Sequence, residues 1–197
     1  MTASRRIGAE DSATRAALLD AAQQLMLEEG YAAVTSRKVA AKAGLKPQLV
    51  HYYFRTMDDL FLALVRRGAE QNLERHARAL ESEQPLRALW EFSNDPAGAT
   101  LTMEFSALAN HRKAIRAELQ AYAEQFRRLD TESITAVLAR ADADTRALPP
   151  EAVAVLMTSI SRILVLEETL GLTAGHTEMR ALVEQYLERY EGPAPKR

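Results

Sequence analysis

The segment that decides the fold runs from Thr35 to Phe54 and reads TSRKVAAKAGLKPQLVHYYF. Thr35 is a good helix N-cap, Gly44 can turn the chain in a left-handed conformation, and Pro47 suits the first turn of a helix. The segment therefore predicts two short helices joined by a sharp turn. Small alanines on the first of these helices allow the two to cross closely. This is the geometry of a helix-turn-helix unit.

The polar side chains of this helix-turn-helix unit, residues 35–54, have the chemistry that contacts DNA, and we call the unit the reader. On the second helix, a glutamine can pair with an adenine edge and a leucine can touch a thymine methyl group. The free amides at the start of the first helix can hold a phosphate, helped by basic side chains. We expect Arg5 and Arg6 to form a flexible basic arm along a groove. The residues predicted to contact DNA are Thr35, Ser36, Arg37, Lys38, Lys46, Pro47, Gln48, Leu49, His51 and Tyr52.

The same region resembles the DNA-binding domain of the TetR (tetracycline repressor) family. The resemblance covers about residues 12–65 and rests on Gly30-Tyr31, Thr35, Arg37, Val39-Ala40, Ala43-Gly44, Pro47, Tyr53-Phe54 and Leu60. It implies an all-helical homodimer whose N-terminal helices bind a palindromic operator in double-stranded DNA. It also implies a C-terminal region that binds a small-molecule effector and dimerises through its last two long helices. The implied activity is repression of transcription that the effector relieves.

Several positions depart from the family's pattern. Lys46 stands where a Ser or Thr cap is usual, and Gln48-Leu49 replaces a common Gly-Thr pair. His51 stands where a tyrosine that touches phosphate is frequent, and Met57 replaces a common phosphate-binding lysine. The operator sequence and the individual contact roles therefore do not transfer from the family.

Composition and charge agree with a cytoplasmic DNA-binding protein. The chain has 197 residues, 47% hydrophobic and 26% charged, which is ordinary for a globular protein. The absence of cysteine excludes disulfides and thiolate metal sites. The net charge of −2 is unevenly spread, because residues 1–57 hold eight Lys/Arg against five Asp/Glu and residues 58–197 hold seventeen against twenty-two. The positive field is thus concentrated where phosphate would be attracted.

Helical signals dominate the whole chain, so the expected fold class is all-α with nine helices and no strand. We divide it into a DNA-binding domain, residues 1–57, and a ligand-binding and dimerisation domain, residues 58–197. The predicted helices are Ser12–Glu29, Thr35–Gly44, Pro47–Phe54, Asp58–Leu80, Pro85–Phe92, Ala97–Asn110, a long one through Ile115 and Leu129, Glu151–Leu170 and Thr177–Tyr190.

Two further sets of residues are predicted from the C-terminal region. The predicted helix Glu151–Leu170 is apolar on nearly all sides, and such a helix must be covered on two of them. The predicted last helix, Thr177–Tyr190, has one apolar stripe, which suits a symmetric interface. The expected dimer interface consists of Leu156, Ile160, Ile163, Leu164, Met179, Leu182, Val183 and Tyr186. Methionine and aromatic side chains suit an adaptable apolar pocket. Its candidates are Trp90, Phe92, Met103, Glu104, Phe105, Leu108, Tyr122, Phe126 and Met157.

Other classes of function find little support. The sequence has no glycine-rich phosphate loop, no nucleophile elbow and no zinc-protease pattern, so we expect no enzyme, no cofactor and no metal. The most apolar stretch, Val153 to Leu166, is interrupted by Arg162 and is too short to span a membrane. Two alternatives stay open: a transcriptional activator, or a helical small-molecule binding protein or enzyme whose reader no longer functions.

Overall fold

The computed structural model describes residues 12–194, and the regular elements of this range are helical. They are α1 (Ala13–Glu29), α2 (Ser36–Lys42), α3 (Pro47–Tyr53), α4 (Met57–Leu80), α5 (Pro85–Ser93), α6 (Pro96–Ala109), α7 (Lys113–Arg140), α8 (Pro150–Thr169) and α9 (His176–Glu191). The all-α class and the nine α-helices predicted from the sequence are confirmed over this range. A short 3-10 turn at Tyr31–Ala33 was not predicted.

Local signals close both ends of α1. The Ser12 hydroxyl accepts a hydrogen bond from the Arg15 amide at 3.1 Å, which satisfies one of the free amides at the helix start. At the other end Gly30 has φ +79° and donates its amide hydrogen to the Met26 carbonyl at 3.1 Å. The helix therefore stops at a residue that tolerates this backbone conformation.

The chain forms two compact units. The first holds the described residues up to Glu70 together with Leu101–Gln120, and the second holds Gln71–Thr100 together with the described residues from Ala121 onward. Helices α4, α6 and α7 each contribute residues to both units. The division of functions at residue 57 stays a prediction, because compactness does not assign a role to either unit.

The first unit is built around the apolar faces of α1, α2, α3 and the start of α4. α2 packs against both α1 and α3. Side chains that are almost completely buried include Leu18, Leu19, Met26, Val39, Val50, Leu60 and Phe61. Arg67 of α4 pairs with Asp20 of α1 at 2.7 Å, so α4 holds the helix that supports the reader.

The second unit has its own core, in which α5 packs against α8 and α9. Its buried members are Leu86, Leu89, Ile134, Val137, Leu138, Ala154 and Leu187. The start of α5 has no Ser or Thr cap, and Glu191 of α9 supplies the missing acceptor. Its carboxylate accepts hydrogen bonds from the amides of Leu86 at 2.7 Å and Arg87 at 3.0 Å. A nearby pair, Arg87 with Glu184 at 2.7 Å, ties the same two helices.

Between residues 12 and 194, no helix combines the length and hydropathy that crossing a membrane requires.

Candidate DNA-binding and effector sites

The N-terminus of α2 presents polar groups as predicted. Thr35 has an extended backbone, and its hydroxyl accepts a hydrogen bond from the Lys38 amide at 3.3 Å. Arg37 is exposed and makes no ion pair with another described residue. Lys38, in contrast, already pairs with Glu29 at 2.6 Å. Arg37 is therefore the freer of the two cations for a phosphate.

The turn between α2 and α3 depends on Gly44. Its φ is +67°, in the left-handed region that side chains disfavour. The next amide, of Leu45, donates to the Ala40 carbonyl at 2.8 Å, which closes the end of α2. A Cβ placed on Gly44 would meet no atom within 4 Å. The demand for glycine at this position therefore comes from the backbone angle and not from crowding.

Helix α3 has one buried and one exposed face. Val50 is 1% exposed, and Phe54, which follows the helix, is 3% exposed. Gln48 and Tyr52 stand four residues apart on the opposite side, and both are exposed, which is the spacing of one helix face. The ring of Tyr52 packs edge-on against that of Tyr53, 5.0 Å between centroids. Both exposed residues, Gln48 and Tyr52, are among those predicted to contact DNA.

The other reader residues differ in accessibility. Lys46, Pro47 and His51 are exposed, whereas Leu49 is half-buried. Lys46 precedes α3 in an N-cap position and makes no side-chain capping bond, which leaves its ammonium available to solvent. Among the residues of α3 that were predicted to contact DNA, Leu49 thus has the least exposed surface. The basic arm at Arg5 and Arg6 lies outside the described residues.

The sequence analysis missed a groove beside α3 in the first unit. Its volume is about 540 Å³, and it is lined by Arg15, Tyr53, Phe54, Arg55, Asp59, Leu62, Ala63, Arg66, Arg67 and Glu70. The guanidinium of Arg15 lies over the Phe54 ring, 5.3 Å from its centroid. Arg66 makes two hydrogen bonds with Glu118, each 2.9 Å long, and these bonds lower the pKa of Glu118. Arg55 is exposed directly after the reader, where no pattern in the sequence marked it.

Comparison with known proteins assigns this N-terminal region. Residues 18–64 match the family described as bacterial regulatory proteins, tetR family. The chain carries a TetR-family helix-turn-helix domain. The family suggested by the residues between Gly30 and Leu60 is thereby confirmed. The match includes α2, the turn and α3 in full.

A curated relative and two solved structures extend this comparison. The HTH-type transcriptional regulator BetI from Rhizobium meliloti (strain 1021) is 40% identical over 52 residues. The match spans about a quarter of either protein, 26% of this chain and 26% of the relative. A TetR transcription regulator from Haloarcula marismortui ATCC 43049 superposes with a TM-score of 0.72 at 19% identity, over 90% of this chain and 97% of the other.

The regulator FadR from Bacillus subtilis, solved in complex with stearoyl-CoA, superposes with a TM-score of 0.65 at 17% identity, over 91% of this chain and 99% of the other. At such identities the likeness concerns the fold. The fold of TetR-family regulators therefore extends through nearly the whole chain, well beyond the TetR-family domain itself.

The predicted pocket residues fall into two groups. Met103, Glu104, Phe105 and Leu108 belong to the first unit, whereas Trp90, Phe92, Tyr122, Phe126 and Met157 belong to the second. Phe105 and Leu108 are buried, and the others are half-buried. Each group is therefore a separate candidate, and their role in binding a ligand stays a prediction.

Glu104 has a protein partner that sequence reasoning did not identify. Glu104 is one of the predicted pocket residues, and its Oε2 accepts a hydrogen bond of 2.6 Å from the Tyr31 amide. A Cβ on Gly30 would come within 3.3 Å of the same oxygen. Glu104 thus secures the 3-10 turn that leads from α1 to the reader.

The predicted dimer residues lie mostly on the outer side of α8 and α9. Leu156, Ile163, Leu182 and Tyr186 are each about half exposed, between 47% and 53%. Val155 on α8 was not predicted and is equally exposed, at 50%. Leu164 differs from the rest: it is 4% exposed and packs inside the chain, so it adds nothing to the outer face. The half-buried members are Ile160, Met179 and Val183.

Proposed function

We propose that this chain is a homodimeric transcriptional regulator that binds DNA through α2 and α3 and responds to a small-molecule effector. One observation carries the proposal: α3 turns Val50 into the core and leaves Gln48 and Tyr52 exposed, within the stretch that matches the TetR family. Such a helix, supported from behind and polar in front, fits the major groove. We expect the chain to act in the cytoplasm, where the DNA that it would bind lies.

The proposed contacts with DNA are of two kinds: contacts with phosphates, which position the protein, and contacts with bases, which recognise the sequence. The guanidinium of Arg37, which is exposed near the start of α2, and the free amides of that helix end hold the phosphate backbone. Gln48 reads an adenine edge and Tyr52 contacts the neighbouring base or phosphate. Lys46, which makes no capping bond, adds a phosphate contact at the start of α3.

The homodimer is proposed from the outer face of α8 and α9. Four large apolar side chains of these two helices are about half exposed, and exposed apolar surface is what a protein interface covers: Leu156, Ile163, Leu182 and Tyr186. A second copy related by twofold symmetry would cover it. The two reader helices would then bind half-sites about 34 Å apart, one turn of the DNA.

The proposed response to a ligand is supported by the fold and by a solved structure of similar fold. FadR from Bacillus subtilis was solved in complex with stearoyl-CoA and has the same fold, which supports ligand binding by a chain of this fold. A ligand changes DNA binding only if it binds one conformation better than another. Helix α4 runs unbroken from Met57, directly after the reader, to Leu80, and is the element we expect to carry that change. We favour repression; activation would require only a different operator position.

The test is binding of the full-length protein to DNA from upstream of its own gene, measured by fluorescence anisotropy at low salt. We expect Gln48→Ala and Tyr52→Ala each to weaken binding to that DNA by about 1–3 kcal/mol, with little effect on unrelated DNA. Lys46→Ala should weaken binding to both DNAs alike and lower the salt dependence.

Gln125→Ala is the matched control, because Gln125 is also exposed on a helix but lies outside the reader. If the native protein bound no DNA, the proposal would be rejected. The alternative, a helical small-molecule binding protein whose reader no longer functions, would then be favoured. Equal affinity of all four variants would reject the assignment of α3 as the reading helix.

A further inference from the structure

A cluster of polar side chains lies inside the second unit, where four helices contribute to it. His76 on α4 is 3% exposed and Asp130 on α7 is 7% exposed. His76 Nε2 and Asp130 Oδ1 are 2.8 Å apart. The rings of Phe92 and Phe126 meet the His76 ring edge-on, with centroids 5.2 Å and 5.3 Å away. The cluster is therefore polar at its centre and aromatic at its walls.

The polar groups of this cluster are poorly satisfied by the protein. His76 Nδ1 and Arg127 Nη1 are buried and have no hydrogen-bond partner among the described residues. Arg127 makes one side-chain hydrogen bond, from Nη2 to the Thr158 hydroxyl, and it is long at 3.4 Å. Buried polar atoms without partners are costly, and proteins usually retain them for a purpose.

The cluster also holds more positive than negative charge. Arg162 on α8 is exposed to solvent, but it lies close enough to interact electrostatically with both Arg127 and Asp130. Partial loss of hydration lowers the pKa of its guanidinium, the charge of Arg127 lowers it further, and Asp130 raises it. Two arginines thus lie near the carboxylate of Asp130, whose own ion pair is with His76. The neighbouring Arg75 lies 3.8 Å from Asp95, and its guanidinium lies over one face of the Phe92 ring, 5.5 Å from the centroid.

We infer that this cluster is the effector site of the proposed regulator and that it binds an organic carboxylate with an apolar body. A carboxylate supplies one negative charge and two acceptor oxygens in the plane that a guanidinium fork prefers. It would take the place of the long hydrogen bond from Arg127 to Thr158. The apolar body would lie against Phe92 and Phe126, whose rings already border the cluster.

The experiment compares acids with uncharged and cationic analogues of the same shape. Full-length protein is titrated with phenylbutyrate, phenylbutyramide and phenylbutylamine, and with octanoate, octanamide and octylamine. Binding is followed by calorimetry and by the fluorescence of Trp90, the single tryptophan of the chain, which lies on α5 two residues before Phe92. We expect each acid to bind about tenfold or more tightly than its amide, and the amines to bind most weakly.

Variants test the assignment of Arg127. Arg127→Met should abolish the preference for acid over amide, and Arg127→Lys, which keeps the charge but loses the fork, should reduce it. Arg128→Met is the matched control, because Arg128 is the next residue of α7 and is exposed; it should keep the full preference. If circular dichroism shows that Arg127→Met does not fold, Arg127→Lys alone decides, and an undiminished preference there would contradict the inference.

The inference would be overturned if neither acid binds, if acids and amides bind equally, or if an amine binds more tightly than its acid. The last result would assign the site to cations held by Asp130. The inference rests on the proposed function, and DNA binding measured on the same samples separates the two. Protein that binds its DNA but shows no preference for acids rejects the effector site alone, whereas a preference for acids without DNA binding rejects the regulator alone.

Discussion

Alanine at Gly44 and alanine at Gly68 should change the stability of this protein in opposite directions. Gly44 has φ +67°, and a Cβ there would meet nothing within 4 Å, so the cost comes from the backbone angle alone. That cost is about 1–2 kcal/mol. Gly68 lies inside α4, and a Cβ there would also meet nothing within 4 Å. Alanine at this position should gain about 1 kcal/mol of helix stability.

The two variants should therefore differ by about 2–3 kcal/mol in their free energy of unfolding. The measurement is urea unfolding of the full chain followed by circular dichroism, at one protein concentration because self-association shifts apparent stability. Gly44→Asn should fall between native protein and Gly44→Ala, since asparagine tolerates the left-handed region better. A Gly44→Ala variant as stable as the native protein, or a Gly68→Ala variant less stable, would refute the reasoning.

Three other outcomes follow from contacts described above. Glu104→Ala removes a charged acceptor from a backbone amide and should cost about 1.5–3 kcal/mol in urea unfolding; no loss would mean that water replaces it. The hydrogen bond from Arg87 lowers the pKa of Glu184, so its contribution to stability is present above the ordinary glutamate pKa of 4.5 and is lost as the pH falls through the lowered value. Arg87→Met should therefore flatten the fall of stability in acid, measured by unfolding at a series of pH values, and an unchanged slope would contradict this. Leu156→Glu should give monomers in analytical ultracentrifugation with the fold intact, whereas Leu164→Ala should cost about 2–5 kcal/mol of stability; a Leu156→Glu dimer would remove that face from the interface.

Signals that act over a few residues made the reader predictable. Thr35, Gly44 and Pro47 each fix their own neighbourhood: a cap, a left-handed turn and a first helical turn. Val50 of α3 and Phe54, directly after it, are buried, while Gln48 and Tyr52, both predicted to contact DNA, are exposed. Because these effects are local, a single sequence was enough to predict α2, α3 and the exposed residues that they carry.

Pairings between distant parts of the chain could not be predicted in the same way. Glu104 meets the Tyr31 amide, and His76 meets Asp130, only after helices far apart in sequence have packed. Periodicity records which face of a helix is apolar, but not which polar atom of another helix lies opposite. The pocket candidates were chosen mainly by residue type for this reason, and they fall into separate units.

The lysines of α2 are engaged before any DNA arrives. Lys38 lies 2.6 Å from Glu29, and Lys42 lies 2.6 Å from Glu28, where it lowers the pKa of that carboxyl group. If the chain binds DNA as proposed, a phosphate would have to compete with these carboxylates, and this competition would weaken binding to unrelated sequences. A DNA-binding protein that dissociates quickly from unrelated sequences samples more of a chromosome in a given time. Glu28 and Glu29 of α1 would thereby shorten the search for the target sequence.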